Sequence, residues 1–327
     1  MSTVGIIANP ASGKDIRRLA AHGSVFNNNE KINIVQRMLL GLEALGIDRV
    51  LAMPDRSSLV RQAVERSKVS LGVEYLDFPL ENNGNDSTTA AKMMVEAGVS
   101  CIVTLGGDGT NRAVTKGCGF VPLVPISTGT NNAFPVMVEG TLAGLAAAVV
   151  AQKVPGVWEK GVRLARRLDI YREGELIDFA LVDIVAYADR FVASGAILDP
   201  EKIHTVVLAH SVPGTIGASA IGGYLPQSAD RKGDGMWLEL GKEGQPLLCP
   251  IAPGLMANLT VKSWRKFRVG DRGAVTISPA VLALDGEREI PIRSDDVIEI
   301  RLSHNGPQVV DVQAALAAAT QAGVFLR

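Results

Sequence analysis

The chain has 327 residues, 47% hydrophobic and 20% charged, which provides for a large apolar core and excludes a disordered chain. With 33 basic against 34 acidic residues the net charge is −1, so no basic excess points to nucleic acid or an anionic membrane surface. Cys101, Cys118 and Cys249 stand far apart without C-x-x-C spacing, which argues against a disulfide framework or a zinc site and fits a reducing compartment.

Residues 4–8 are a short apolar run, the first predicted strand, and Met1-Ser2-Thr3 leads straight into it, which predicts no signal peptide. Residues 34–45 carry Ile34, Val35, Met38, Leu39, Leu42 and Leu45 at helical spacing and stop at Gly46. A strand at 49–53, a helix at 57–67 capped by Ser57 or Ser58, and a strand at 73–78 follow. Asp86 is placed to cap a helix that runs to Ala97 and ends at Gly98. Residues 99–105 and 121–126 are continuous apolar strands of the kind covered on both faces. The Ala-rich run 142–151, capped by Thr141, predicts a buried helix, well short of the ~20 apolar residues a bilayer span needs. Alternating strand and helix signals predict a doubly wound parallel sheet over residues 1–155.

From about Arg163 the pattern changes. Short strand-like runs at 164–171, 176–185, 203–209, 236–240, 247–251, 257–263, 274–277 and 297–302 are separated by turn residues such as Glu173-Gly174, Gly241 and Gly270-Asp271. They predict an antiparallel β-sandwich over residues 156–305. Asp285-Gly286 is also a hairpin signal, between 281–284 and 290–292. Residues 311–322 read as a helix ending at Gly323, and the tail 306–327 is expected to pack back on the first domain. The expected fold class is α/β, with the sandwich second and a returning C-terminal helix.

About two dozen residues separate the first strand from the first helix, against the usual ~2–6 for such connections. They include Asn9-Pro10-Ala11-Ser12-Gly13-Lys14, then Arg17, Arg18, His22 and Asn27-Asn28-Asn29. Long loops at the C-terminal ends of parallel strands are where open α/β sheets bind ligands. Two more loops leave the same edge: Gly106-Gly107-Asp108-Gly109-Thr110 and Ser127-Thr128-Gly129-Thr130-Asn131-Asn132. Glycines let a phosphate approach backbone N–H groups, and the short helix that follows adds a favourable dipole. A carboxylate at Asp108 repels phosphate, so it serves something else, whether a metal, a sugar hydroxyl or a proton to be removed. A P-loop is absent, since Lys14 is followed by Asp15 and Ala8 stands where the first glycine belongs; a G-x-G-x-x-G is absent too. Lys262, Arg265, Lys266 and Arg268 around Trp264 read as a solvated strand face or a subunit contact.

Gly106–Thr110 together with Ser127–Asn132, preceded by Asn9-Pro10-Ala11-Ser12-Gly13, resembles the superfamily of NAD kinases and diacylglycerol- or sphingosine-type lipid kinases. Within it, the chain is most similar to the acetoin-catabolism protein X branch, predicted ATP- or polyphosphate-dependent NAD kinases. The resemblance implies a phosphate and nucleotide site built from Asn9, Ser12, Gly13, Lys14, Gly106, Gly107, Gly109, Thr110, Thr128, Gly129, Thr130, Asn131 and Asn132. It implies that Asp108 is the catalytic residue, a base or orienting group near a ribose 2′-hydroxyl. An Asn-Glu pair that grips the adenosine ribose in NAD kinases corresponds here to Val182-Asp183, which makes Asp183 a substrate residue. The loop 214–223, with Thr215 and Ser219, is similar to a Thr/Gly/Ser-rich substrate loop, and Asp285-Gly286-Glu287 resembles the late Asp-Gly-Glu of the lipid-kinase branch.

The implied reaction moves a phosphoryl group from ATP or polyphosphate, with Mg²⁺ bridging donor oxygens, to a ribose-type hydroxyl of NAD or a related nucleotide, as in NADP biosynthesis. A cytoplasmic homodimer or homotetramer without nucleic-acid or membrane partners is expected. Two alternatives stand beside it: a lipid or other small-alcohol kinase of the diacylglycerol type, and a non-catalytic NAD(P)-binding regulator linked to acetoin catabolism.

Overall fold

The apolar run near the start of the chain forms β1 (Thr3–Ala8), every residue of which is buried between two parallel neighbours, β2 (Arg49–Ala52) and β4 (Cys101–Gly106). β3 (Gly72–Tyr75) extends this sheet beyond β2 and β5 (Leu123–Ser127) extends it beyond β4, again in parallel. The computed structural model describes residues 2–13, 26–129, 131–188, 200–226 and 234–326, without the side chains of 200 and 287–289. Lys14, Thr130, the Glu287 side chain, Arg17, Arg18 and His22 therefore lie outside the described residues.

Helices α1 (Asn28–Ala44), α2 (Leu59–Ser67), α3 (Gly84–Glu96), α4 (Asp108–Thr115) and α5 (Gly140–Ala151) cover the sheet. Residues of α1, α2 and α5 share one core with Val4, Ile6, Val103 and Ile126, while Met94 of α3 and Val114 of α4 share another with Ile7 and Ile102. Coverage of both faces is why these strands read as unbroken apolar runs.

Helix starts differ from the sequence expectation. Asn83, not Asp86, caps α3, because Asp86 turns back to accept from Glu81 N and Asn82 N at 2.8 Å each. Ser58 adopts φ 51° and makes no side-chain cap bond; Asp55 takes the N–H groups of Ser57 and Leu59 instead. Glu139 caps α5 in place of Thr141, its longer side chain reaching Thr141 N at 2.7 Å and Leu142 N at 3.3 Å. The asparagine run expected within the first loop opens α1, with Asn27 as its cap.

A short α6 (Val157–Gly161) and β6 (Val162–Leu164) lead into two antiparallel sheets. One comprises β9 (Asp183–Tyr187), β10 (Ile203–Leu208), β11 (Gly235–Ala252), β12 (Leu255–Phe267), β14 (Ala280–Leu284) and β15 (Glu287–Ile292), in the order β12-β11-β10-β9-β14-β15. The other comprises β7 (Arg167–Arg172), β8 (Glu175–Ala180), β13 (Arg272–Ala274) and β16 (Ile298–Ser303), in the order β13-β16-β7-β8. Leu168, Ile170, Ile184, Trp237, Phe267, Leu282 and Ile300 fill the space between them, the core of a sandwich.

Two expected strands, 236–240 and 247–251, are one strand, β11. Gly241 makes no turn, because register slips between Leu240 and Gln245 absorb the irregularity and Gly244 takes φ 144°. The run 176–185 breaks at Leu181-Val182, which divides β8 from β9. Within the expected loop 214–223 a short helix forms, α7 (Ala218–Gly223), burying Ala220 and Ile221 against β10 and β11.

The tail returns to the first half. β17 (Gln308–Val310) lies parallel to β5 and antiparallel to β6, and α8 (Val312–Gln321) buries Ala315, Ala318 and Ala319 in the α1–α5 core. The three cysteines are free and buried; burial pushes the Cys101 and Cys118 thiols up to about 12 and the Cys249 thiol to about 11. Among the described residues no helix is long and apolar enough to cross a membrane.

Candidate functional site

Three loops leave the C-terminal ends of β1, β4 and β5, and side-chain hydrogen bonds tie them together. Asn9 closes a turn by accepting from Ala11 N at 2.9 Å, and its Nδ2 donates to Thr110 Oγ1 at 2.9 Å. Ser12 Oγ donates to the Asn9 carbonyl at 2.8 Å and accepts from Thr128 Oγ1 at 2.9 Å. Gly13 has φ 76°, and a Cβ there would lie 2.7 Å from the Thr128 carbonyl, so both conformation and space require glycine. Asn132 Nδ2 donates to Ser127 Oγ at 2.8 Å, and the Ser127 hydroxyl in turn donates to the Gly129 carbonyl at 2.7 Å.

Asp108 opens α4, directly after the extended Gly107, where the helix dipole favours a negative charge. Its carboxylate accepts from Phe134 N at 2.8 Å and Ala133 N at 3.1 Å, so it holds the end of the third loop as well as facing the cleft. Gly106 leaves room for the Thr110 side chain, which would lie within 2.6 Å of an added Cβ.

These loops form one wall of a cavity of about 770 Å³ that runs from the parallel sheet to the sandwich. Asn9, Ser12, Gly13, Gly107, Asp108, Gly109, Thr110, Asn131 and Asn132 line it, as do Asp183, Ser219 and Asp285. Gly106, Thr128 and Gly129 sit behind this wall, and Thr215 is not part of it. On the sandwich side the wall is mainly apolar: Val182, Tyr187, Ile203, Ile216, Ile221 and Ile251.

Asp285 occupies a buried turn, with its side chain wholly enclosed. It accepts from Leu181 N, Val182 N and Asp183 N at 3.1, 2.8 and 3.3 Å, and Arg112 Nε of α4 lies 3.4 Å from Oδ2. Burial raises its carboxyl above the ordinary value, opposed by the Arg112 charge and those three N–H groups. Its carboxylate thus anchors the backbone beneath Val182 and Asp183, the two residues that reach the cavity. The hairpin expected at Asp285-Gly286 also forms, with both residues at positive φ.

Sequence reasoning missed two stretches of the lining. The loop after β2 contributes Met53, Pro54, Asp55 and Arg56, and the entry to α3 contributes Asn82, Asn83 and Asp86. Both leave the same sheet edge as the three named loops, so that rule could have found them. Burial raises the Asp55 carboxyl, offset by backbone N–H bonds from 57–59 and by the charge of Lys31. Among the described lining residues, five aspartates face a single arginine, and Asp55, Asp86, Asp108 and Asp285 each grip at least two backbone N–H groups. Carboxylates used in this way fix loop shape, and the hydroxyls, amides and backbone donors they position can meet a ligand beside Asp108.

Residues 4–154 match the ATP-NAD kinase N-terminal domain, and residues 166–305 match the acetoin catabolism protein X C-terminal domain. The acetoin catabolism protein X of Cupriavidus necator is 38% identical over 96% of this chain and 91% of its own length. An NAD kinase of Methanosarcina mazei is 22% identical over 81% of this chain and 87% of its own length. The crystal structure of yeast NADH kinase complexed with NADH covers 100% of this chain and 88% of its own, at 14% identity and a TM-score of 0.47.

Proposed function

Since the chain belongs to the acetoin catabolism protein X family and begins with an ATP-NAD kinase N-terminal domain, we propose that it is a phosphotransferase acting on a nucleotide-type hydroxyl. The observation that carries this reading is the convergence of three sheet-edge loops on Asp108 in one cavity. Phosphoryl transfer needs mainly positioning and charge stabilisation. The 9–13 loop and the N-terminus of α4 would hold the donor's phosphates, ATP or polyphosphate, on backbone N–H groups and the Thr110 hydroxyl, with Ser12 fixing the loop's shape. Asp108, fixed by Ala133 N and Phe134 N, would orient the acceptor hydroxyl and take its proton.

Among the described residues no three or more His, Cys, Asp or Glu side chains are grouped to hold a metal. Mg²⁺ arriving on the donor's phosphates would neutralise their charge there. The acceptor would extend across the cavity toward Asp183 and Ser219, with NAD or a related nucleotide as the first choice.

A second acceptor class, a lipid or other small alcohol, is favoured by one observation. Val182 lines the sandwich wall at the position that the resemblance to NAD kinases assigns to an amide, and Tyr187, Ile203, Ile216, Ile221 and Ile251 continue that wall as an apolar surface. Radiolabelled ATP and polyphosphate, each offered with NAD and with diacylglycerol, separate the classes by which acceptor gains label. The Asp108→Asn variant should fold normally and lose about 10²–10⁴-fold in turnover. Full activity of that variant at saturating substrate would remove Asp108 from the role of base.

A further inference from the structure

Lys31, in the first turns of α1, has no solvent exposure, yet it is not part of the cavity wall. Its ammonium donates to three backbone carbonyls of the first loop: Asn9 at 3.0 Å, Pro10 at 3.0 Å and Ser12 at 2.6 Å. An ammonium carries three donors, and a buried one is costly unless its partners are in place. A short loop that turns three carbonyls onto one buried cation is therefore shaped by that cation. The peptide unit is planar and trans, so turning the Pro10 and Ser12 carbonyls toward Lys31 turns the Ala11 and Gly13 N–H groups away from it. Ala11 N–H goes to Asn9 Oδ1, and the loop presents its other face, with Ser12 and Gly13, to the cavity.

The charge balance adds to this. Among the described residues lining the cavity there are five aspartates and one arginine, and even with Arg112 offsetting Asp285 from behind the wall this is a poor field for a polyanion. Lys31 places a positive charge directly behind the loop, where its field reaches both the loop and the Asp55 carboxyl with little screening. We propose that Lys31 is the positioning residue and counter-charge of the phosphate-donor loop, acting through the 9–12 backbone on a polyphosphate chain that it does not touch. This rests on the reading of that loop as the donor site, and the experiment tells the two failures apart.

The probe is inorganic tripolyphosphate, titrated calorimetrically into the full chain, wild type and variants, over a range of salt concentrations. Wild type should bind it, and Lys31→Met, which keeps the stem and removes the ammonium, should bind about tenfold more weakly or worse, the scale of one lost charge-assisted contact. Its salt dependence should also be shallower, which lost packing alone would not produce. In Lys31→Ala, ethylammonium should restore binding, whereas tetramethylammonium, too bulky for the carbonyl cradle, should not. Wild-type affinity in Lys31→Met, or no recovery of Lys31→Ala by ethylammonium, would overturn the assignment. A wild-type protein that does not bind tripolyphosphate would overturn the donor-site reading itself. Should neither variant fold, the ¹⁵Nζ resonance of Lys31 in the wild type decides the matter: tripolyphosphate should shift it, and an unmoved resonance counts against the role.

Discussion

Gly107 has extended backbone, φ −101° and ψ −168°, that any residue could adopt, so its conformation does not require glycine. Space does. A Cβ at this position would lie 2.9 Å from Asn132 Oδ1, and Asn132 is the residue whose Nδ2 reaches Ser127 Oγ. A Gly107→Ala variant must push that amide aside and loosen the third loop where it meets Asp108. The expected result is a folded protein with an unchanged melting midpoint and turnover reduced about tenfold, the equivalent of ~1.4 kcal/mol at the transition state. Wild-type turnover in Gly107→Ala would mean that the position of Asn132 is irrelevant to the chemistry. At this scale the sequence named candidate residues and was silent about geometry. The oddity of a carboxylate among glycines singled out Asp108 as a candidate, but nothing local could show that it clamps Ala133 N and Phe134 N. Lys31 lay unnoticed at the end of the long first loop, before the helical pattern that starts at Ile34, because a buried lysine reads there like any solvated one.

Helices and strands follow from periodicity; their contacts follow from small residues whose spacing has no simple signal. α1 and α5 cross with almost nothing between them. A Cβ on Gly41 would lie 2.6 Å from the Thr141 carbonyl, one on Gly140 2.5 Å from the Ile34 carbonyl, and one on Gly144 against the Met38 carbonyl. A glycine inside a helix costs roughly 1 kcal/mol relative to alanine, so Gly144→Ala should stabilise if propensity decided the outcome. Backbone against backbone cannot yield cheaply, and overpacking of this kind costs about 1–3 kcal/mol. The variant should therefore lower the urea midpoint; a raised midpoint would show that α5 is free to shift outward. The same distinction explains which boundaries were legible. The buried strands of the parallel sheet stand within a residue or two of the expected positions because burial on both faces writes itself into composition. Caps were misplaced because the capping group is whichever carboxylate or amide reaches the open N–H groups. Asp55, Asn83 and Glu139 reach them where a nearest-neighbour rule selects Ser57 or Ser58, Asp86 and Thr141. The division of β11 into two strands failed for a related reason: glycines inside a long ribbon can mark a slip of register as readily as a turn.

The two halves meet across a pair of charges that no local pattern joins. Arg112 sits on the helix that Asp108 begins, Asp285 on the turn between β14 and β15, and their side chains are 6% and 0% exposed. Arg112 also reaches Asp178 of β8 at 3.3 Å, and Lys116 reaches the same carboxylate at 2.9 Å. Through Asp285 this arrangement sets the 181–183 backbone, and hence the far wall of the cavity, relative to Asp108. Replacing Arg112 by Met leaves a carboxylate buried without its cation, at a cost of about 3–5 kcal/mol near neutral pH. The pH dependence tests the assignment more sharply than the magnitude. Burial already raises the Asp285 carboxyl in the folded protein, and Arg112 is the largest influence holding it down. Without Arg112 it rises further, so the folded state binds a proton that the unfolded state, with an aspartate near 3.9, does not hold until lower pH. A group raised in this sense favours folding when protonated and loses that contribution as pH rises through its folded value. The deficit of Arg112→Met relative to wild type should therefore be greatest at neutral pH and shrink steadily toward pH of about 4. Denaturant unfolding at a series of pH values measures it. A deficit that stays constant would place the cost in lost packing of the guanidinium and its stem. A deficit that shrinks would place it in the Asp285 charge, and would make the ion pair the element that holds the cavity's two walls in register.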